Sequence, residues 1–291
     1  MCIRDSSYAD LMLEELRKVI PSFLRRVDVP ERGLAWSAYL EENHLAMKRF
    51  VTDLERGSEV EVVSEVELID WDPEGERKML AAMLYPYSRA SERQLVALVD
   101  QMSADEKLEV VKRYVGERGN RRHRPGRALE RLDYRFDILG DYGGFRDMQR
   151  HRLLTIEWQS LSPDHGYEVP EAIQVAGLTD RYVGVMERSK ALYELLEPDY
   201  PEQAAYAVSM AFRVRYVMQF NAREALHMLE LRSQPQGHPN YRRIAQEMYH
   251  QIANRAGHEI VAQMFKFIDL SAGEDGRLEA EKVLEAKRFN S

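Results

Sequence analysis

Apolar side chains recur at helical spacing through Leu11, Leu13, Leu16, Ile20, Phe23, Leu24 and Val27, and again through Trp36, Leu40, Leu45 and Phe50. That period is one face of an α-helix, so residues 8–57 are expected to be helical. The pattern changes at Gly57-Ser58. EVEVVSEVELIDW partly alternates and is rich in valine, which predicts a strand over 60–71. Asp72-Pro73-Glu74 then opens a helix, with proline in its first turn, that carries Met79, Leu80, Met83 and Leu84. A helix after Ser91 runs to about Met102. Ser103 and Glu106 match a capping box and start the next, to about Val115.

GERGNRRHRPGR follows, a glycine- and proline-punctuated stretch expected to be a solvated loop. In LDYRFDIL, Leu132, Tyr134, Phe136 and Ile138 alternate with Asp133, Arg135 and Asp137, the pattern of a strand with one buried face. Gly140 to Gly144 predicts a turn, and a short helix is expected to carry Arg146 and Arg150 on one side. Beyond Pro170 the chain reads as mostly helical, with a stripe of Tyr182, Val185, Met186, Ser189, Leu192, Tyr193 and Leu196. AFRVRYVMQF alternates again, with Phe212, Val214, Tyr216, Met218 and Phe220 on one face. Asn221 then caps the helix AREALHMLELR, with Glu224 at its third position. A long last helix is expected over 241–270. Strands and helices mix without a βαβ repeat, so the class is α+β.

Length, composition and charge narrow the function. A chain of 291 residues suits one large domain, or one domain plus a smaller piece. The start has no basic stretch followed by an apolar core, and no apolar run is long enough to span a bilayer, so neither leader nor membrane partner is expected. Cys2 is the only cysteine, which excludes an internal disulfide and a cysteine-based zinc site; a cytoplasmic location follows as the default. Net charge is −8, which argues against nucleic acid as the partner. Locally the balance reverses. Ten arginines and no lysine lie between Arg118 and Arg152, against five acids. Arginine in preference to lysine suits forked recognition of phosphate or carboxylate; a solvated basic face, or an RNA-binding stripe, are the alternatives.

Residues 8–28 can be laid on residues 249–269 without a gap. Leu11/Ile252, Ile20/Val261, Phe23/Met264, Leu24/Phe265 and Val27/Ile268 are apolar in both. Either these are two amphipathic helices that agree by their period alone, or residues 1–57 are the tail of an upstream copy of the same domain.

Arg150-His151-Arg152, seven residues, then Ser160 is similar to the signature of the flavin-dependent thymidylate synthases. ALERLDYRFDIL before it resembles that family's Glu-His and strand, FNAREALHMLELR its Asn-Ala-Arg helix, and VELIDWDPEGERKMLAAMLYPYS its opening strand and helix. The resemblance covers about residues 58–270. It implies an antiparallel sheet packed with long helices, a domain over 58–275 and a tail over 276–291. It also implies FAD as cofactor, NADPH and methylenetetrahydrofolate as co-substrates, dUMP as substrate, and a homotetramer with active sites between subunits. Carried over by position, Arg150, His151, Arg152, Asn221 and Arg223 would contact FAD, and Ser160 and Arg232 the nucleotide, with Ser160 as the catalytic residue. Arg146, Arg213 or Arg215 could reach the nucleotide in place of a missing arginine. No metal is implied. Each residue also has a plainer account: Asn221 as a cap, Arg232 at a helix C-terminus, His151 as a satisfied core histidine, Ser160 as a turn residue.

The departures gather on the nucleotide side. The family's Ser-x-Arg reads Ser160-Leu161-Ser162, its glutamine before the signature reads Asp147, a further arginine reads Ala205, and its Glu-His reads Glu130-Arg131. His238 is a candidate for the histidine that follows the Asn-Ala-Arg helix. Arg122-His123-Arg124 repeats the tripeptide, but Leu132 stands where its serine would be. Two readings follow: a synthase that makes dTMP, or an inactive structural copy that packs against an active partner.

Overall fold

The structure is a computed structural model that describes residues 3–29, 31–57 and 64–271, with positions 276, 280, 282, 283, 285 and 286 of the C-terminal stretch. The chain divides into two units, Met1–Val62 and Val63–Ser291. In the first, α1 (Ile3–Val19), α2 (Pro21–Asp28) and α3 (Leu34–Leu54) follow one another. Proline at the start of α2 separates it from α1. The helical period is therefore realised, yet Leu11, Ile20, Phe23 and Val27 stay exposed.

The second unit is a four-stranded antiparallel sheet in the order β1-β2-β4-β3, built from β1 (Val66–Trp71), β2 (Asp133–Asp141), β3 (Leu154–Trp158) and β4 (Arg213–Asn221). The start of the expected first strand, 60–63, lies outside the described residues. β2 and β4 pair along their whole length, Tyr134 opposite Phe220 and Ile138 opposite Tyr216. Their alternate residues Tyr134, Phe136, Ile138, Val214, Tyr216, Met218 and Phe220 are all buried, as the alternation requires. Phe136 and Phe220 stack at 5.8 Å between centroids. Helices α4 (Gly75–Leu84), α5 (Glu92–Gln101) and α6 (Ala104–Val115) add Met79, Leu80, Met83, Leu95 and Val99 to this core. Both α5 and α6 begin with complete capping boxes, on Ser91 and Ser103. α4 starts at Gly75, two residues later than Asp72-Pro73 suggests, because the Asp72 side chain and carbonyl accept the Glu74 and Gly75 N–H groups as a turn.

After β2 come α7 (Tyr142–Met148), the edge strand β3, a short α8 (Glu171–Val175), α9 (Thr179–Leu196), a single turn α10 (Pro201–Ala204) and β4. α7 carries Arg146 but ends before Arg150, so the two do not share a helical face. On α9, Met186 is buried, but Val185 and Leu192 of the expected stripe are half exposed. α11 (Ala222–Arg232) returns across the core. α12 (Pro239–Asn254) and the single turn α13 (Glu259–Ala262) replace the expected long last helix. Gly257 breaks it at φ +69°, a conformation that side chains resist. The freed carbonyls of Gln251 and Ile252 accept N–H groups of Ala256 and His258. Among the described residues no helix is long and apolar enough to cross a membrane.

Candidate functional site

β4 runs directly into α11, and Asn221 at the junction caps that helix: its side-chain oxygen accepts the Glu224 N–H at 3.0 Å. The cap fixes the first turn of α11, and with it the direction of Glu224. The Glu224 carboxylate is buried and lies 2.8 Å from His151 Nδ1. On the other side of the imidazole, Arg232 Nε donates to His151 Nε2 at 3.2 Å. Nε2 is thus the acceptor, and Nδ1 carries the proton given to Glu224. Arg232 NH2 also donates to the Asp147 carbonyl at 2.5 Å, and the guanidinium lies 5.3 Å over the Tyr241 ring.

These groups floor a cleft of about 250 Å³ walled by Arg124, Arg150, Arg152, Leu153, His227 and Leu231. Arg150 and Arg152 are exposed at its rim, and Asp147 lies 3.5 Å from Arg150 and 3.7 Å from Arg232. Among the described residues Arg152 has no ion pair. His227 packs edge-on against His151 at 5.4 Å and meets Arg124 NH2 at 3.3 Å. Burial holds its pKa below the usual histidine value, and Arg124 and His151 add to this against the pull of Glu224.

The cleft unites Arg150, His151, Arg152 and Arg232 of the residues singled out from sequence. It does not include the others. Arg223 turns away to the Pro125 carbonyl at 3.0 Å and Glu130 at 3.2 Å. Arg146 is exposed on the last turn of α7, and Ser160 is exposed beyond the end of β3. Ser162, in the place of the family's arginine, closes a turn on Asp164 at 2.8 Å. His238 caps α12 and lines a separate cavity of about 630 Å³ with Asp141, Tyr182 and Arg243.

Glu224, His227, Arg124, Leu153 and Leu231 were not singled out as site residues. Glu224 and His227 carried one available signal: they sit three apart on α11, on the same face as Leu231. Residues 122–124 are exposed on a loop as expected, and Arg124 in addition lines the cleft. His151, Glu224 and His227 also offer ligand atoms within 4.8 Å of one another, a spacing a metal ion could use. The protonated Nδ1 and the guanidiniums on both imidazoles oppose a dication there and favour an anion.

The sequence profile of the family described as thymidylate synthase complementing protein matches residues 67–256. A UPF0159 protein of Chlamydia pneumoniae is 36% identical over 273 residues, 94% of this chain and 51% of that protein. A UPF0159 protein of Thermoplasma acidophilum is 34% identical over 220 residues, 74% of this chain and 44% of that one. The chain spans about half the length of the curated relatives it matches. Among solved structures, the UMP/dUMP methylase PolB of Streptomyces cacaoi, bound with 5-Br dUMP, superposes with a TM-score of 0.55 at 16% identity over 72% of this chain and 98% of that one. The flavin-dependent thymidylate synthase ThyX of Helicobacter pylori, complexed with FAD and dUMP, gives 0.52 at 18% identity over 71% and 100%. The antiparallel sheet with its flanking helices is thus the ThyX fold, and the chain belongs to the thymidylate synthase complementing protein family.

Proposed function

We propose that this chain binds FAD at the Arg150–Arg152 cleft and serves a flavin-dependent conversion of dUMP to dTMP, with methylenetetrahydrofolate as carbon donor and NADPH as reductant. The observation that carries this reading is the convergence of Arg232 with Arg150, His151 and Arg152, a distant stretch of the sequence, on one cleft of this fold. The donor set suits the cofactor. Guanidiniums at the rim match a diphosphate, and the Leu153 and Leu231 walls offer apolar surface. The flavin, when bound, supplies the redox chemistry. Glu224 and Arg232 hold the His151 ring in one orientation, and the rim arginines favour negative charge beside it. At about 250 Å³ the cleft is below the roughly 300–1,000 Å³ of sites that enclose a drug-sized ligand, so a second copy is expected to complete it.

The test is a visible spectrum of the purified protein with and without added FAD. A flavin band near about 450 nm, followed by dTMP formation from dUMP with NADPH and folate, supports the synthase. Failure to take up FAD sinks it.

A second reading has its own support. Asp147 engages both Arg150 and Arg232, Ser162 is closed on Asp164, and Ser160 lies outside the cleft. These substitutions blunt the nucleotide side and fit an inactive copy that packs against an active one, residues 1–57 being the tail of that upstream copy. Ser162→Arg in a chain carrying both copies separates the two. Unchanged turnover favours the structural copy, and a rise favours a working site here.

A further inference from the structure

The loop over 116–127 has the composition of a solvated tether but is anchored at both ends. At its start Arg118 is buried, 3% exposed, and its two terminal nitrogens donate to Glu230 at 2.7 and 2.6 Å. The same guanidinium reaches the Met264 carbonyl at 3.0 Å and the loop's own His123 carbonyl at 2.8 Å. At the far end Ala128 N donates to the Tyr114 hydroxyl at 3.0 Å, and the Pro125 carbonyl accepts from Arg223 at 3.0 Å. Between them, Gly119 N donates to His123 Nδ1 at 3.2 Å, and Arg122 N donates to Asn120 Oδ1 at 2.8 Å. Five of these hydrogen bonds hold backbone groups, at Gly119, Arg122, His123, Pro125 and Ala128, so what the loop displays is displayed in a fixed place.

It displays Arg121, Arg122 and Arg124. Arg124 walls the same cleft as Arg150 and Arg152 and touches His227. Arg121 is half-buried beside them. Burial, and the guanidiniums of Arg122, Arg124 and Arg232, pull Arg121 below the ordinary arginine range. Glu230, the acid that opposes this, is already engaged on both oxygens by Arg118. Cations gathered without a counter-charge repel one another at a cost that an anion would remove. Asp147 partly offsets Arg150 and Arg232, so the unbalanced charge lies with the loop arginines.

We propose that this anchored loop is a second phosphate-gripping lip of the cleft, with Arg124 at its centre and Arg121 and Arg122 flanking it, that holds a diphosphate together with Arg150 and Arg152. The lip rests on the flavin reading for its natural ligand, the diphosphate of a dinucleotide, but not for its charge. Forked guanidiniums, not lysines, on a fixed backbone are the arrangement such an anion requires.

The test titrates the full chain with FAD, riboflavin and inorganic pyrophosphate, using flavin fluorescence and displacement, over a range of salt. The variants are Arg124→Ala, Arg124→Lys, Arg121→Ala with Arg122→Ala, and Arg152→Ala as reference; matched thermal melts show that each folds. Losing a charge-assisted contact should weaken FAD about tenfold to a hundredfold. That loss is expected in Arg124→Ala and the double variant, partly rescued in Arg124→Lys, with a shallower salt dependence and pyrophosphate no longer competing. Riboflavin, which has no phosphate, should not distinguish Arg124→Ala from the parent. If Arg152→Ala loses FAD while the loop variants bind as the parent does, the lip is wrong and the flavin cleft stands. If the parent ignores FAD but takes pyrophosphate through Arg124, the flavin reading falls and the lip stands. If the parent binds neither, both are overturned.

Discussion

His151 is fixed from both sides: Nδ1 on Glu224 and Nε2 on Arg232. Removing the carboxylate should therefore loosen more than one contact. Glu224→Ala leaves a buried imidazole N–H without its acceptor, which costs about 1–3 kcal/mol, or a fall in Tm of a few degrees for a unit of this size. Glu224→Gln keeps an acceptor oxygen and should lose less; equal melts for all three proteins would show that the pair contributes nothing. His258 gives a pH prediction. It is buried against Tyr134, whose hydroxyl lies 2.9 Å from Nδ1, and burial holds its pKa below the usual value. As pH falls through about 6.5 the unfolded chain takes up the proton and the native chain does not, so stability falls toward acid. His227 is lowered in the same sense. Melts from pH 7.5 to 5.5 should therefore decline, and His258→Gln should make the decline shallower. The resemblance to the flavin-dependent thymidylate synthases made Arg150, His151, Arg152 and Arg232 legible, because it rests on the order of short motifs along the chain. Arg124 and the Glu224–His151 pair were not legible, because contacts across 103 and 73 residues leave no local pattern.

At the level of elements, caps and alternation explain most of what the chain declares about itself. β2 and β4 are two-faced strands in the most literal sense, and the capping boxes of α5 and α6 form as written. β3 escaped because LTIEW is a short edge strand whose side chains are at most half-buried, so no clean buried face marks it. The continuous period over 241–270 concealed the break at Gly257, since a single glycine hardly disturbs an apolar count. Asn221 is where the structural and functional readings meet. Asn221→Ala should destabilise α11 by about 1 kcal/mol, while Asn221→Asp keeps the capping oxygen. If the aspartate variant melts like the parent yet binds FAD more weakly, Asn221 also serves the cofactor. If both properties return, it is a cap alone.

Among the described residues the buried apolar core lies in the second unit, from Val66 to Phe265. A chain of residues 63–291 should therefore fold by itself, with cooperative melting close to that of the full chain. Loss of cooperativity would show that the helices of residues 3–54 are part of that core. Those helices carry the opposite signature. Phe23 is 82% exposed and Val19 78%, and Leu11, Ile20 and Val27 are open, while Ile252, Val261 and Met264, the matches of Leu11, Ile20 and Phe23, are buried in the second unit. Single exposed apolar residues are ordinary, but a helical stripe of them is a face that lacks its partner. With relatives about twice as long as this chain, the partner we propose is an upstream copy of the same fold. Its consequence is measurable by amide hydrogen exchange. Residues 8–28 should exchange quickly in this chain and slowly when the upstream half is present, to the level expected of the buried positions of residues 249–269 in the second unit. Equal exchange in both contexts would mean that the matching apolar positions reflect helical period and nothing more.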